Sequence, residues 1–181
     1  MIENYIYDGW GLCPEAFAEI DKILNPGDVI LELGSGSGTE VLSRKYQMIS
    51  IEDNPDFIGK YNSNYLDVDL VKYEQDKFPF MWEFFKEDSH WYDPYLLEQK
   101  LKTIGKYDLL LIDGPKGYRG GFLSHLNLFD LKNVKILVDD THDVFHHKLA
   151  EVVSQQTGRE MSYYESSYLT PDGVSKKFII I

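Results

Sequence analysis

Apolar residues fall into short dense runs separated by glycine, proline and acidic turns, and this punctuation outlines the elements. Asp28 to Leu33 (DVILEL) is an apolar run entered by Asn25-Pro26-Gly27 and left by Gly34, the pattern of a buried strand. Ahead of it, Phe17, Ile20 and Leu24 recur at three- to four-residue spacing, so Pro14 to Leu24 reads as an amphipathic helix with proline near its start. Thr39 to Tyr46 reads as a short helix, and Met48 to Ile51 as a second strand ending in Glu52-Asp53-Asn54-Pro55. Tyr61 to Val71 is ambiguous and has room for a third short strand. A helix is expected from Asp93-Pro94 to about Ile104, then a strand at Tyr107 to Ile112 (YDLLLI). Another strand at Val134 to Val138 precedes a helix over Thr141 to Gln156. The tail, Glu160 to Tyr168 and Val174 to Ile181 around Pro171-Asp172-Gly173, reads as an antiparallel hairpin. Strands alternating with helices predict an α/β three-layer sandwich, with a mostly parallel sheet and an antiparallel edge at the C-terminal hairpin. No repeat or linker divides the 181 residues, so one domain is expected over 1–181.

Composition narrows the function classes. Lys and Arg number 18 against 30 Asp and Glu, a formal charge of -12, which argues against a nucleic-acid partner. Hydrophobic residues at 43% exclude a disordered chain, and no run approaches the length needed to span a membrane. The one cysteine, Cys13, cannot form an internal disulfide, and the first residues lack the features of a signal peptide. A cytoplasmic location with no membrane partner is the expectation.

The candidate chemistry begins at Glu32-Leu33-Gly34-Ser35-Gly36-Ser37-Gly38-Thr39, between a buried strand and a helix. Glycines at alternate positions let a backbone turn tightly and approach a ligand closely, and open α/β sheets bind ligands at such strand ends. A flexible turn that binds nothing is the bland alternative. Position favours a nucleoside-type cofactor, because Glu52 lies at the tip of the next strand with Asp53 beside it, and a carboxylate there can accept from a ribose diol. A dinucleotide is the weaker reading: the fingerprint G-x-G-x-x-G would need a glycine where Thr39 stands. Glu32 also suits an ammonium group and would repel a pyrophosphate.

The stretch E-L-G-S-G-S-G with the following Glu resembles the first two motifs of class I S-adenosylmethionine-dependent methyltransferases, and the element order resembles their seven-stranded Rossmann-like sheet. The resemblance implies S-adenosylmethionine as cofactor, Gly34, Gly36 and Gly38 bordering its methionine portion, and Glu52 holding its ribose.

Later strands end in Asp113-Gly114-Pro115-Lys116-Gly117-Tyr118-Arg119 and in Asp139-Asp140, beside the same crevice. Three converging carboxylates repel one another unless a cation sits among them, and oxygen ligands of this kind suit Mg²⁺, Mn²⁺ or Ca²⁺. The alternative is that Asp113 caps a turn and Asp140 or Thr141 caps a helix, with Asp139 solvated. Asp-x-x-Lys at one strand end and Asp-Asp at the next resembles the cation-dependent O-methyltransferases of the catechol and caffeoyl-coenzyme A type. That resemblance implies Asp113, Asp139 and Asp140 as ligands of Mg²⁺ or Mn²⁺, with Lys116 as the base. Asp113 to Tyr118 is also similar to the D-G-P-x-G-Y stretch of polysaccharide O-methyltransferases, which implies a sugar acceptor.

His142-Asp143-Val144-Phe145-His146 nearly matches H-E-x-x-H, but with Asp at the general-base position and no third ligand downstream zinc is disfavoured, leaving His142 as an alternative base. Aromatics crowd the stretch from Phe78 to Tyr95, which could pack as core, wall a pocket, form a lid or bury itself in a homodimer interface. Trp91-Tyr92-Asp93 is the segment expected to touch adenine or acceptor. Arg119, on a glycine-flanked loop, is expected to help hold an anionic or polyhydroxylated acceptor, its guanidinium fork matching a carboxylate; the rival is that it pairs with a neighbouring Asp on the surface. The expected function is a methyltransferase acting on a hydroxyl of a small molecule or sugar. A non-enzymatic cofactor-binding member of the same fold is the rival, and an NAD-dependent oxidoreductase ranks below both.

Overall fold

A computed structural model describes residues 5–7, 9, 11–72, 90–115 and 119–181. Helix α1 (Pro14–Ile23) precedes strand β1 (Val29–Leu33), short helix α2 (Ser37–Leu42) and strand β2 (Gln47–Glu52). Strands β3 (Asn64–Asp67), β4 (Leu70–Lys72) and β5 (His90–Tyr92) come next, then helix α3 (Pro94–Leu101) and strand β6 (Leu109–Ile112). A short helix α4 (Gly121–Ser124), strand β7 (Lys135–Val138), helix α5 (Val144–Thr157) and the hairpin β8 (Ser162–Leu169) and β9 (Ser175–Ile180) complete the order.

Seven strands form one sheet in the order β3-β2-β1-β6-β7-β9-β8. Pairings from β3 through β7 are parallel, and β9 runs antiparallel to both of its neighbours. The ambiguous stretch 61–71 resolves into β3 and the start of β4, and among the described residues β4 pairs with β5 in a separate two-stranded sheet. Both sheet faces are covered, which is why the central strands read as unbroken apolar runs. Along each strand the side chains alternate in destination. Leu31, Leu33, Leu110, Ile112, Ile136 and Val138 join α3, α4 and α5, whereas Ile30, Leu109, Leu111 and Leu137 join α1 and α2. The strand order reverses between β1 and β6, which places the loops after β1, β2, β6 and β7 along one edge, the place where open α/β sheets bind ligands.

Helix boundaries differ from the sequence expectation where capping decides them. The final helix begins at Val144 rather than Thr141, because the Asp143 carboxylate accepts from Phe145 N–H at 2.7 Å and caps it. Neither Asp140 nor Thr141 caps that helix. His142 therefore lies before the helix, off the face that carries His146, and the zinc-type pairing on one helix does not form. Among the described residues no helix is long and apolar enough to cross a membrane. The stretch 73–89, which holds most of the aromatic segment, lies outside the described residues.

Candidate functional site

The loop after β1 is fixed by its own backbone and by two buried carboxylates. Gly34 has φ +87°, a conformation that L side chains rarely adopt. Three successive N–H groups are held within the protein: Gly34 donates to the Ile51 carbonyl at 2.8 Å, Ser35 to Glu52 Oε2 at 2.7 Å, and Gly36 to Thr39 Oγ1 at 2.9 Å. The Thr39 hydroxyl passes the constraint on, donating to Glu32 Oε1 at 2.7 Å, an oxygen that also accepts from Ser50. Thr39, which weakened the dinucleotide reading, is thus the hinge pin between strand end and loop. The glycines serve different ends. A Cβ on Gly38 would press on the Leu12 side chain at 3.2 Å and one on Gly34 on the Gly114 backbone, whereas one on Gly36 would meet nothing within 4 Å among the described residues. Gly36 is where the loop presents bare backbone to open space.

Burial is the main cause that pushes the Glu32 carboxyl up to about 8, against hydrogen bonds from Ser50 and Thr39 that favour its charge. Its side chain is therefore protonated in the folded state across a range in which it is ionised in the unfolded chain. The stability this gives is complete below about pH 4.5 and is lost as pH rises through about 8. Glu32→Gln should flatten that decline, gaining about 1–3 kcal/mol over the native chain at pH 9 and little at pH 5 in urea unfolding. Equal pH profiles would mean that Glu32 is ionised in the fold.

Glu52 is buried at the end of β2 and accepts from the Ser35, Asp53 and Asn54 N–H groups. A carboxylate offers about four lone-pair directions, so one is left for a ligand where a diol would ask for two. Glu52 anchors the glycine loop through Ser35 N–H. Beside it, Asp53 is half-buried, and burial together with the Glu52 charge raises its carboxyl. Tyr92 departs from expectation. Its ring is fully enclosed against Trp91 and its hydroxyl donates to the Ile51 carbonyl at 3.0 Å, so it supports the β2 end from within the core and offers no open face for stacking. Trp91 is likewise buried.

The three aspartates do converge: one oxygen from each of Asp113, Asp139 and Asp140 lies within 4.8 Å of the others. What the sequence reading missed is that Lys176 converges with them and that the Asp pairing weighed for Arg119 is buried. Lys176 on β9, with 1% of its side chain exposed, pairs with Asp139 Oδ2 at 2.9 Å and with Asp140 Oδ1 at 2.6 Å. Arg119 pairs with Asp140 Oδ2 at 2.8 Å, reaches Asp113 at 3.6 Å and donates to the Asp139 carbonyl at 3.2 Å. Arg119 is therefore buried inside the acidic cluster, and the expectation that its fork faces an acceptor is corrected. Charge compensation, the reason for invoking a metal, is already supplied by this chain. A divalent ion would compete with Lys176 and Arg119 for both Asp140 oxygens and for Asp139 Oδ2, and those contacts disfavour one here.

Titration in the cluster follows burial and pairing. Burial pushes Asp139 up to about 8, with the Asp140 and Asp113 charges adding to it against Lys176. Burial also raises Asp113. For Asp140 burial acts in the same sense, but Arg119 and Lys176 outweigh it and hold the carboxyl well below the ordinary range. Asp140 has φ +59°, a left-handed conformation that Asp tolerates better than most residues, and its two cation contacts hold it there.

His142 follows this cluster. Burial lowers its pKa, so it is neutral at physiological pH, and among the described residues its Nδ1 has no hydrogen-bond partner. It lines a groove of about 390 Å³ with Thr141, His147, Tyr163, Glu165 and Lys177. His146 is buried deeper, and its pKa falls to about 4, first through desolvation and then through the Arg119 charge. Lys116, the expected base, lies outside the described residues, as do Gly117 and Tyr118.

The backbone path matches solved structures over nearly its whole length. A precorrin 8w decarboxylase from Methanobacterium thermoautotrophicum superposes with TM-score 0.58 at 16% identity, covering 94% of this chain and 90% of that one. A precorrin-6y C5,15-methyltransferase from Geobacter metallireducens gives 0.56 at 13%, covering 97% and 91%. The O-methyltransferase TomG from Streptomyces achromogenes, solved with SAM, gives 0.56 at 13%, covering 94% and 80%. The fold is that of the class I methyltransferases. No family model matches the sequence, and no curated protein matches it significantly. Within this methyltransferase fold the signal that could have revealed Lys176 is β9 itself: in SKKFII the inward alternation that holds Phe178 and Ile180 begins at Lys176. A lysine in phase with buried positions calls for an internal counter-charge.

Proposed function

We propose that the chain is an S-adenosylmethionine-dependent O-methyltransferase acting on a hydroxyl of a small molecule or sugar. The observation that carries this reading is the open backbone at Gly36, on a loop stitched to Glu32 and Glu52 at the point where the strand order reverses. That SAM is held in the TomG structure of the same fold supports the choice of cofactor. When bound, the cofactor supplies an electrophilic methyl group, and the work left to the protein is largely positioning and proton removal. Gly36 gives the close approach, and Glu52, with Asp53 beside it, takes the ribose side. Neutral His142 lines a groove wall, with its Nδ1 buried, and its ring is suited to accept the proton of an acceptor hydroxyl, the role first expected of Lys116. Because the aspartates are engaged by Lys176 and Arg119, no step runs through a metal.

Glu52→Ala should weaken S-adenosylhomocysteine binding by about 1.5–3 kcal/mol, the scale for hydrogen bonds to a charged group, and should loosen the loop that hangs on Ser35 N–H. An unchanged dissociation constant in the folded variant would remove Glu52 from the site. The activity itself is tested by transfer of radiolabelled methyl from S-adenosylmethionine to catechols, neutral sugars and acidic sugars. Label on an acceptor oxygen supports the proposal, and label on carbon or on no acceptor contradicts it.

A further inference from the structure

The buried ion network inverts the logic of a metal centre. Two of its aspartates, Asp139 and Asp140, stand in sequence after β7, and the third, Asp113, stands after β6. Hard divalent ions bind carboxylate oxygens at about 2.0–2.6 Å. An ion bridging Asp139 Oδ2 and Asp140 Oδ1 would have to share the space of the Lys176 ammonium, which already lies 2.9 and 2.6 Å from those atoms. The remaining Asp140 oxygen is taken by Arg119 at 2.8 Å. Formal charge points the same way: three carboxylates against Lys176 and Arg119 leave a single negative charge, which a divalent ion would turn into a positive excess beside two buried cations.

We propose that Lys176 is the resident cation of this site: its ammonium occupies the place among Asp113, Asp139 and Asp140 that a divalent ion would take, and the chain works without a metal. The lysine comes from β9, the strand next to β7, so the cation is delivered by the sheet itself and cannot be removed by a chelator. An ammonium also differs from a metal in what it offers. It has N–H donors in place of vacant coordination positions, so an acceptor oxygen near it is met by fixed positive charge and is not chelated. Lys176 is thus a positioning residue that keeps Asp140 in its left-handed conformation and sets the local charge. The statement about the reaction rests on the methyltransferase reading. The statement about the cation stands independently of it.

Titration of the full chain with MnCl₂, followed by manganese electron paramagnetic resonance, separates the cases. The native chain should show no saturable 1:1 binding up to about 1 mM, weaker than even the low-affinity range of protein sites for divalent ions. Folded Lys176→Ala should bind one Mn²⁺ at least about tenfold more tightly than the native chain, and adding Asp139→Asn should abolish that gain. Saturable 1:1 binding to the native chain that Asp139→Asn removes would overturn the proposal, as would a folded Lys176→Ala that binds no manganese. Should Lys176→Ala not fold, the native titration decides alone: no binding supports the proposal and 1:1 binding overturns it. S-adenosylhomocysteine affinity measured on the same samples keeps the two readings apart. Its absence speaks against the methyltransferase, and manganese binding by the native chain speaks against the resident lysine.

Discussion

Gly114→Ala is expected to cost about 1–3 kcal/mol of stability and to lower S-adenosylhomocysteine affinity by roughly 10- to 100-fold, although position 114 carries no side-chain chemistry. The reason is where the two central loops cross. A Cβ on Gly114 would lie 2.8 Å from Gly34 Cα and 2.9 Å from the Leu33 carbonyl oxygen, and both are backbone atoms that no rotamer change can move aside. The β1 loop would have to shift as a unit, and it is held through Gly34 to Ile51 and through Ser35 to Glu52. Displacement there moves the bare backbone at Gly36, so the loss reaches the crevice. Gly105→Ala is the control, since among the described residues a Cβ there meets nothing within 4 Å and no left-handed conformation is involved. Calorimetry on both variants checks the account, and equal affinities for Gly114→Ala and Gly105→Ala would refute it.

The second large effect is expected at Arg119. Arg119→Met should destabilise the fold by about 3–5 kcal/mol, the scale for removing one partner from a buried ion pair and leaving its counter-charges uncompensated. A surface pair of the same residues would be worth about 0–1 kcal/mol. Arg119 is 5% exposed and faces Asp140, Asp113 and the Asp139 carbonyl, so the buried scale applies. The sign with pH follows from the aspartates. Asp113 and Asp139 already have raised pKa values, chiefly through burial, and losing Arg119 raises them further. Protonation then relieves the repulsion, so the penalty should be largest near pH 8.5 and shrink toward pH 5.5. Urea unfolding at the two pH values measures it. A penalty below about 1 kcal/mol that does not change with pH would put Arg119 back on the surface.

These two sites also mark the limit of what the chain discloses as text. The sheet was legible because both its faces are covered, so that strands such as Leu109–Ile112 are apolar at every position, and because Gly34 and Gly158 punctuate strand and helix ends. The glycine loop and Glu52 were legible because strand end, turn and next strand end lie within twenty-one residues, Glu32 to Glu52. The aspartates were legible as a cluster because each follows a strand of the same sheet. Their counter-ions were not. Lys176 is 36 residues beyond Asp140 (176 − 140) on an antiparallel return strand, and only the three-dimensional order β7-β9 puts it there. Arg119 looked like a surface loop residue because Gly117, Gly120 and Gly121 flank it, and burial is not written in local composition. Tyr92 failed for a related reason: its pairing through β5 to β4, and the Ile51 carbonyl that its hydroxyl finds, are both non-local.

In the proposed function, the loop at Gly36 holds S-adenosylmethionine. Isothermal titration of the native chain with S-adenosylhomocysteine and with NAD, each in the presence of EDTA, tests it most directly. Saturable 1:1 binding of S-adenosylhomocysteine that survives the chelator is expected, together with no binding of NAD. Binding of NAD alone, or no binding of S-adenosylhomocysteine by the folded protein, would contradict it.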